Sequence, residues 1–397
     1  MTILTFIPLI EIFTFTSLFV FFSKFIIQFI NNHQINKKFV LILLSIKTFF
    51  FLAIFIYGKI GNSVDSKSIY DMSTIFFDTI YKNFSYRTFF GSDFLSLIIS
   101  PITNFGKLRY FNTSLLFMLL GFYASLLFYV VLIKNSQNRY QEILSAIIVL
   151  YPTLNLYTSY ITKDLLIFFF LAYLLFIINF EIKQKYFNYK LLFIAIGILL
   201  IRPYIFIILS ISTITIFIIL YKFKKVKELL FSMILIILSV SIFLLLFNKI
   251  YVHIFSGGGN LFEQILNYLS DRANITNIGT SKINLNELSF LGKILSIIFG
   301  PPSFTFNFSN IFFLTDKIFV LFILSHILII KLHFKKIEFN SQNLLELSLL
   351  FYSILLCLLL SLSVSNFGIA LRLKLMFLPI FFYFLIKNQL VYRFKIK

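Results

Sequence analysis

Apolar runs of about twenty residues, the length that spans a bilayer's hydrocarbon core, recur along almost the whole chain. They fall near 7–30, 39–58, 112–133, 143–160, 164–180, 187–201, 203–221, 229–248, 311–330, 344–364 and 373–387. In lipid a backbone has no water to bond, and a helix satisfies its own N–H and C=O groups within one segment. With 59% hydrophobic and 13% charged residues among 397, the balance is wrong for a water-soluble domain. The reading is an all-α, polytopic helical membrane protein with about eleven transmembrane helices, a single integral membrane domain over 1–397. The first run has no basic lead and no small-residue cleavage site, so it is expected to be a retained helix and not a signal peptide.

A net charge of +20 would ordinarily raise nucleic acid as a partner. Here the positions of the charges give a simpler reason and argue against nucleic acid. Lys37 and Lys38 follow the first run, Lys134 and Arg139 the third, and Lys183, Lys185 and Lys190 the fifth. Lys222, Lys224, Lys225 and Lys227 follow the seventh, Lys331, Lys335 and Lys336 the ninth, and Lys387, Arg393, Lys395 and Lys397 the last. Every cluster follows an odd-numbered run. One orientation, N-terminus outside and C-terminus inside, therefore places all of them in the cytoplasm, where short loops collect Lys and Arg. Two longer segments then face outward, about 59–111 and 249–310. Each holds an apolar stretch too short to span, Phe94–Ile102 and Phe290–Phe299, expected to form interfacial or re-entrant helices.

A charge inside such a chain is expensive, about 2.5–3.5 kcal/mol for Lys, Arg or Asp at mid-bilayer, so charges near the ends of runs are functional candidates. Lys163-Asp164 follows Tyr151-Pro152 and a polar stretch through Tyr160, where Pro152 should break the run and Asp164 should occupy a first helical turn. A snorkelling lysine beside a capping acid is the structural alternative. Arg202-Pro203 joins two apolar runs almost without a loop. Pro203 suits the first position of a new helix and leaves Arg202 at the rim, shaped for bidentate phosphate contact or for snorkelling into headgroups. Arg372 and Lys374, two residues apart, diverge on a helix, and Arg372 is the stronger candidate for a site. Asp65, early in the first outer segment, is placed to accept a proton from a hydroxyl or to stay a solvated loop carboxylate. Arg272, beside Asp271 in the second outer segment, has a similar dual reading.

Other chemistries leave no trace. There is no phosphate-binding loop, no dinucleotide glycine motif and no HExxH. The four histidines lack metal-ligand spacing, and one cysteine, Cys357, excludes an intramolecular disulfide. No metal and no cofactor is expected.

In order along the chain, several short pieces resemble the bacterial oligosaccharide-repeat-unit or O-antigen polymerases, near the EpsG-like and C-type glycosyltransferase-like membrane proteins. These are Asp65 with Tyr70, then Tyr151-Pro152 leading to Lys163-Asp164, and then Arg202-Pro203-Tyr204. Gly300-Pro301-Pro302 follows, then Asn366-Phe367-Gly368 with Arg372, Lys374 and Pro379. The resemblance implies glycosyl transfer at the outer face of the inner membrane, joining polyprenyl-diphosphate-linked oligosaccharide units for O-antigen, capsule or exopolysaccharide. It implies Asp65 and Arg372 as catalytic groups, and Arg202, Arg372, Lys374 and Lys163 as holders of the diphosphate. Asp164, Tyr70 and Arg272 would support them. Lipid-linked oligosaccharide and membrane lipid would be the partners, with a chain-length regulator and a flippase as further ones. The alternatives are a transporter or flippase of lipid-linked oligosaccharide, or a non-catalytic partner in a glycan assembly.

Overall fold

Among the described residues, eight of the eleven expected apolar runs form single helices with bounds close to those expected. A computed structural model describes residues 2–59, 65–80, 90–181, 189–221, 287–299, 308–329, 335–336, 341–387 and 392–393. The chain divides into two compact units, 1–204 and 205–397, each described by itself. The helices of the first are α1 (Thr2–Asn32), α2 (Lys37–Lys59), α3 (Asp65–Ile80), α4 (Ser92–Asn104), α5 (Tyr110–Asn135), α6 (Arg139–Val149), α7 (Pro152–Tyr157), α8 (Lys163–Phe180) and α9 (Tyr189–Ile201). The boundary falls at the start of α10 (Pro203–Tyr221).

Directions in the first unit follow from side-chain pairs. Glu11 of α1 ion-pairs with Arg109 at the start of α5, and His33, just past α1, lies against Phe176 and Phe180 late in α8. Lys134 near the end of α5 donates to the Asn179 carbonyl of α8 at 2.6 Å. Helices α1, α5 and α8 are therefore parallel. Helix α2 runs against them: Phe39 stacks on Tyr129, while Phe51 and Phe55 meet Phe111. Helix α9 also opposes α8, since Lys190 pairs with Glu181 at 2.7 Å while Arg202 reaches Asp164. The short helices α3 and α4 pack on each other through Ser73, Thr103 and Asn104.

The run expected at 143–160 is two helices, α6 and α7, with Pro152 in the first turn of α7. Proline lacks the N–H that would continue α6, so the break lies where the sequence puts it. The short apolar stretches are helical as expected, as α4 and as α11 (Phe290–Phe299).

The second unit contains α11, α12 (Phe308–Ile329), α13 (Ser341–Ser363), α14 (Phe367–Leu373), a 3-10 turn (Lys374–Met376) and α15 (Leu378–Lys387). The run expected to begin at 373 thus begins earlier and is broken. Helix α14 with its 3-10 turn meets α15 at 49°. Tyr352 of α13 braces the break by donating to the Met376 carbonyl at 3.0 Å. Lys335–Lys336 pairs in parallel with Tyr392–Arg393, which brings together two of the basic segments that the charge pattern assigns to one face.

Among the described residues five helices are long and apolar enough to cross a membrane, or six if the bent pair counts as one span. Apart from that two-residue pairing, the regular structure among the described residues is helical, consistent with a helical membrane protein. The expected run at 229–248 and most of the second outer segment, including Arg272, lie outside the described residues.

Candidate functional site

Three of the residues expected to carry the site, Lys163, Asp164 and Arg202, lie together where α8 begins and α9 ends. Thr162 caps α8, its hydroxyl accepting from the Leu165 N–H at 3.0 Å, which fixes Lys163 and Asp164 in the first turn. A carboxylate there is favoured by the helix dipole. Asp164 is wholly buried and ion-pairs with Arg202, whose guanidinium also donates from Nη1 to the Tyr204 hydroxyl at 2.6 Å. The guanidinium lies 5.8 Å from the Tyr204 ring, within cation–π range. Arg202 closes α9 through its N–H to Ile198, and Pro203 begins α10, as the Arg-Pro pair leads one to expect.

Helix α4 brings a second acid to this end. The Gly91 N–H donates to the Leu200 carbonyl at 2.9 Å, anchoring the start of α4 beside the end of α9. Gly91 has φ 71°, a left-handed conformation that glycine adopts without strain. Two residues on, Asp93 has its carboxyl raised above the usual range by burial, with the Lys163 ammonium acting in the opposite direction. The end therefore holds two cations, Lys163 and Arg202, and two carboxylates, Asp164 and Asp93.

Asp65 and Tyr70 sit elsewhere in this unit. Asp65 is the first residue of α3, and its neighbour Ser66 is 2.5 Å from the Tyr110 hydroxyl at the start of α5. The Asp164 end is level with Gly121 of α5, since a Cβ on Gly121 would contact Leu165. From Tyr110 to Gly121 is roughly 16 Å along the helix axis at 1.5 Å per residue. Tyr70 donates to the Leu108 carbonyl at 2.9 Å and meets Tyr110 edge-on. Its hydroxyl titrates above its ordinary value, by burial first, then by Glu11 and Asp71. Tyr70 thus buttresses the entry to α5.

In the second unit Arg372 and Lys374 diverge, as their spacing requires. Arg372 is half-buried on α14, a helix capped by Asn366 accepting from the Ile369 N–H at 3.3 Å. Lys374 is fully buried and donates to Asp316 of α12 at 2.7 Å. A buried ammonium held this way is matched to its carboxylate.

Among the described residues, four buried charges lie outside the candidates read from the sequence: Asp316, Glu11, Glu346 and Lys47. Glu11 accepts from the Arg109 N–H and from Asn112, closing the start of α5. Glu346 of α13 takes the Tyr383 hydroxyl at 2.9 Å and Lys387 at 2.5 Å. Lys47, near the midpoint of α2, is fully buried and donates to the Thr158 hydroxyl in the break between α7 and α8. Each of the four is a charge set within or just inside an apolar run, and that is the sequence signal of its burial. Among the described residues no group of three or more His, Cys, Asp or Glu side chains comes together. No protein-family model matches the chain, and neither a curated protein nor a solved structure does.

Proposed function

We propose that this chain is a glycosyltransferase of the bacterial inner membrane, spanning it about eleven times with its N-terminus outside. In this reading it polymerises polyprenyl-diphosphate-linked oligosaccharide units at the outer face. The observation that carries it is the Asp164–Arg202 pair with Lys163 and Asp93 where α8 begins and α9 ends. That end is opposite the one where Lys134 meets Asn179.

In such a reaction a hydroxyl of the acceptor attacks the anomeric carbon of the donor. The bond from that carbon to the diphosphate breaks, the diphosphate leaves with the electron pair, and the hydroxyl proton passes to a base. Arginine suits the leaving group, because its fork of donors matches phosphate oxygens bidentately and keeps its charge. Arg202 would exchange its Asp164 and Tyr204 contacts for the diphosphate, and Arg372 is proposed as a second phosphate-binding arginine. Asp93 would take the proton, because Asp65, expected from the sequence to do so, stands roughly 16 Å away along α5. Lys374, buried against Asp316, fits a structural role better than direct contact.

The test is direct. Purified protein given authenticated lipid-linked repeat units should lengthen them, and Arg202→Ala and Arg372→Ala strains should show a shortened glycan ladder. No product in vitro, together with normal glycan length in a deletion strain, would sink the proposal. A second reading, a flippase of lipid-linked oligosaccharide, is favoured by the two broken helices, since transporters bind substrate at discontinuous helices. A deletion would then accumulate units facing the cytoplasm, where loss of a polymerase leaves them outside.

A further inference from the structure

Lys47 is a buried cation without a buried anion. It lies ten residues into α2, about 15 Å from the helix start, and none of its side chain is exposed. Among the described residues its polar partner is the neutral Thr158 hydroxyl, and no carboxylate pairs with it. The other deeply buried lysine, Lys374, is matched to Asp316. An ammonium in the membrane interior ordinarily pairs with an opposite charge or lines a functional pathway.

The place it touches is polar and irregular. Helix α7 ends at Tyr157 and α8 begins at Lys163, so the chain between them is not helical. Thr158, Ser159 and Thr162 are all buried there. Asn155 lies three residues before Thr158, which closes the last turn of α7 with its N–H on the Leu154 carbonyl at 3.2 Å. The Asn155 amide nitrogen donates to the Val149 and Tyr151 carbonyls, while its Oδ1 is buried with no hydrogen-bond partner. Irregular backbone at membrane depth is tolerated where protein buries it or where it lines a cavity for a polar ligand.

We propose that Lys47, Thr158 and Asn155 form a binding site within the bundle for a phosphate group. The ammonium supplies the counter-charge, and the Asn155 oxygen takes a hydroxyl donor, from a protonated phosphate oxygen or an adjoining sugar. The phosphate reaches the site either as part of a lipid or as a free ion. The residues of this site are distinct from Arg202, although Thr158 and Leu165, the neighbour of Asp164, both lie against Gly121.

The full-length protein in nanodiscs of a zwitterionic lipid tests this, with affinity measured for three probes: a polyprenyl diphosphate, phosphatidylglycerol and inorganic pyrophosphate. Tight binding of either lipid alone identifies a lipid-borne phosphate, and binding of pyrophosphate as well identifies the phosphate itself. Lys47→Met should weaken binding by about tenfold or more, while Lys47→Arg retains most of it. Unchanged affinity in Lys47→Met overturns the proposal, as does the absence of binding by all three probes. If Lys47→Met does not fold, Asn155→Ala decides, and an unchanged affinity there overturns it equally. Affinity lost in Arg202→Ala but kept in Lys47→Met would place the phosphate at Arg202 alone, ending this proposal and leaving the proposed reaction standing.

Discussion

The Lys374 ammonium lies 2.7 Å from an Asp316 carboxylate oxygen, and neither side chain reaches solvent. Removing one member of such a pair strands the other, at a cost of about 3–5 kcal/mol, whereas replacing both with apolar groups of similar size is often neutral. Asp316→Leu and Lys374→Met should each lower the melting temperature in detergent sharply, and the double variant should recover most of the loss. Additive losses would mean that the pair does not act as a unit.

Asp93 offers a pH test of the proposed end site. Burial raises its carboxyl above the ordinary 3.8 and Lys163 partly offsets this. A carboxyl raised in the folded state binds its proton more tightly there. The stability it contributes is present below the unfolded value and is lost as pH rises through the folded one. Asp93→Asn should therefore be more stable than wild type at neutral pH, and the difference should shrink as pH falls toward 3.8. Lys163→Met should raise the Asp93 titration further, readable by carboxyl-carbon NMR. An unmoved titration would separate Lys163 from Asp93.

Gly121 of α5 lies directly against the Thr158 backbone. A Cβ there would fall 1.8 Å from the Thr158 carbonyl oxygen, a clash with backbone that cannot swing aside. Gly121→Ala should cost about 1–3 kcal/mol, the usual range for overpacking. At Gly91 nothing lies within 4 Å of an added Cβ, and only the positive φ opposes it. With φ 71° and ψ −126°, a combination open essentially to glycine, Gly91→Ala should cost about 1–3 kcal/mol from that conformation alone. Folded yield by size-exclusion chromatography should fall most for Gly121→Ala.

Capping gives a milder test. Thr162→Ala removes the acceptor for the Leu165 N–H and should cost α8 about 1 kcal/mol, with Thr162→Ser keeping most of it. If the proposed role of the Lys163-Asp164 turn is sound, glycan length should fall with Thr162→Ala more than thermal stability alone accounts for.

Much of this was legible in the chain. Pro152 and Arg202-Pro203 sit where helices break and restart, because proline's missing N–H acts within one turn and needs no tertiary context. Asp164 in the first turn of α8 follows from the same local logic. Pairings were not legible. Nothing near Lys374 in sequence announces Asp316, 58 positions away, and nothing near Arg202 announces Asp164. Charge patterning also says which end of a helix a residue occupies but not its depth or partner, so Lys374 reads like a rim cation although it is buried.

The contact between Lys47 and Thr158 has a consequence for how the protein is made. The two residues are 111 positions apart. At about 5–20 residues per second, Thr158 leaves the ribosome roughly 6–22 s after Lys47. During that interval α2 must enter the membrane with its lysine lacking that partner, against a penalty of about 2.5–3.5 kcal/mol. Leu, Ile and Phe along α2 each return about 0.3–0.6 kcal/mol at the helix centre, enough in sum for insertion to proceed. The extreme apolarity of α2 is thus what allows a charge to be installed first and accommodated later, and replacing its phenylalanines with alanine should stall biogenesis at that step.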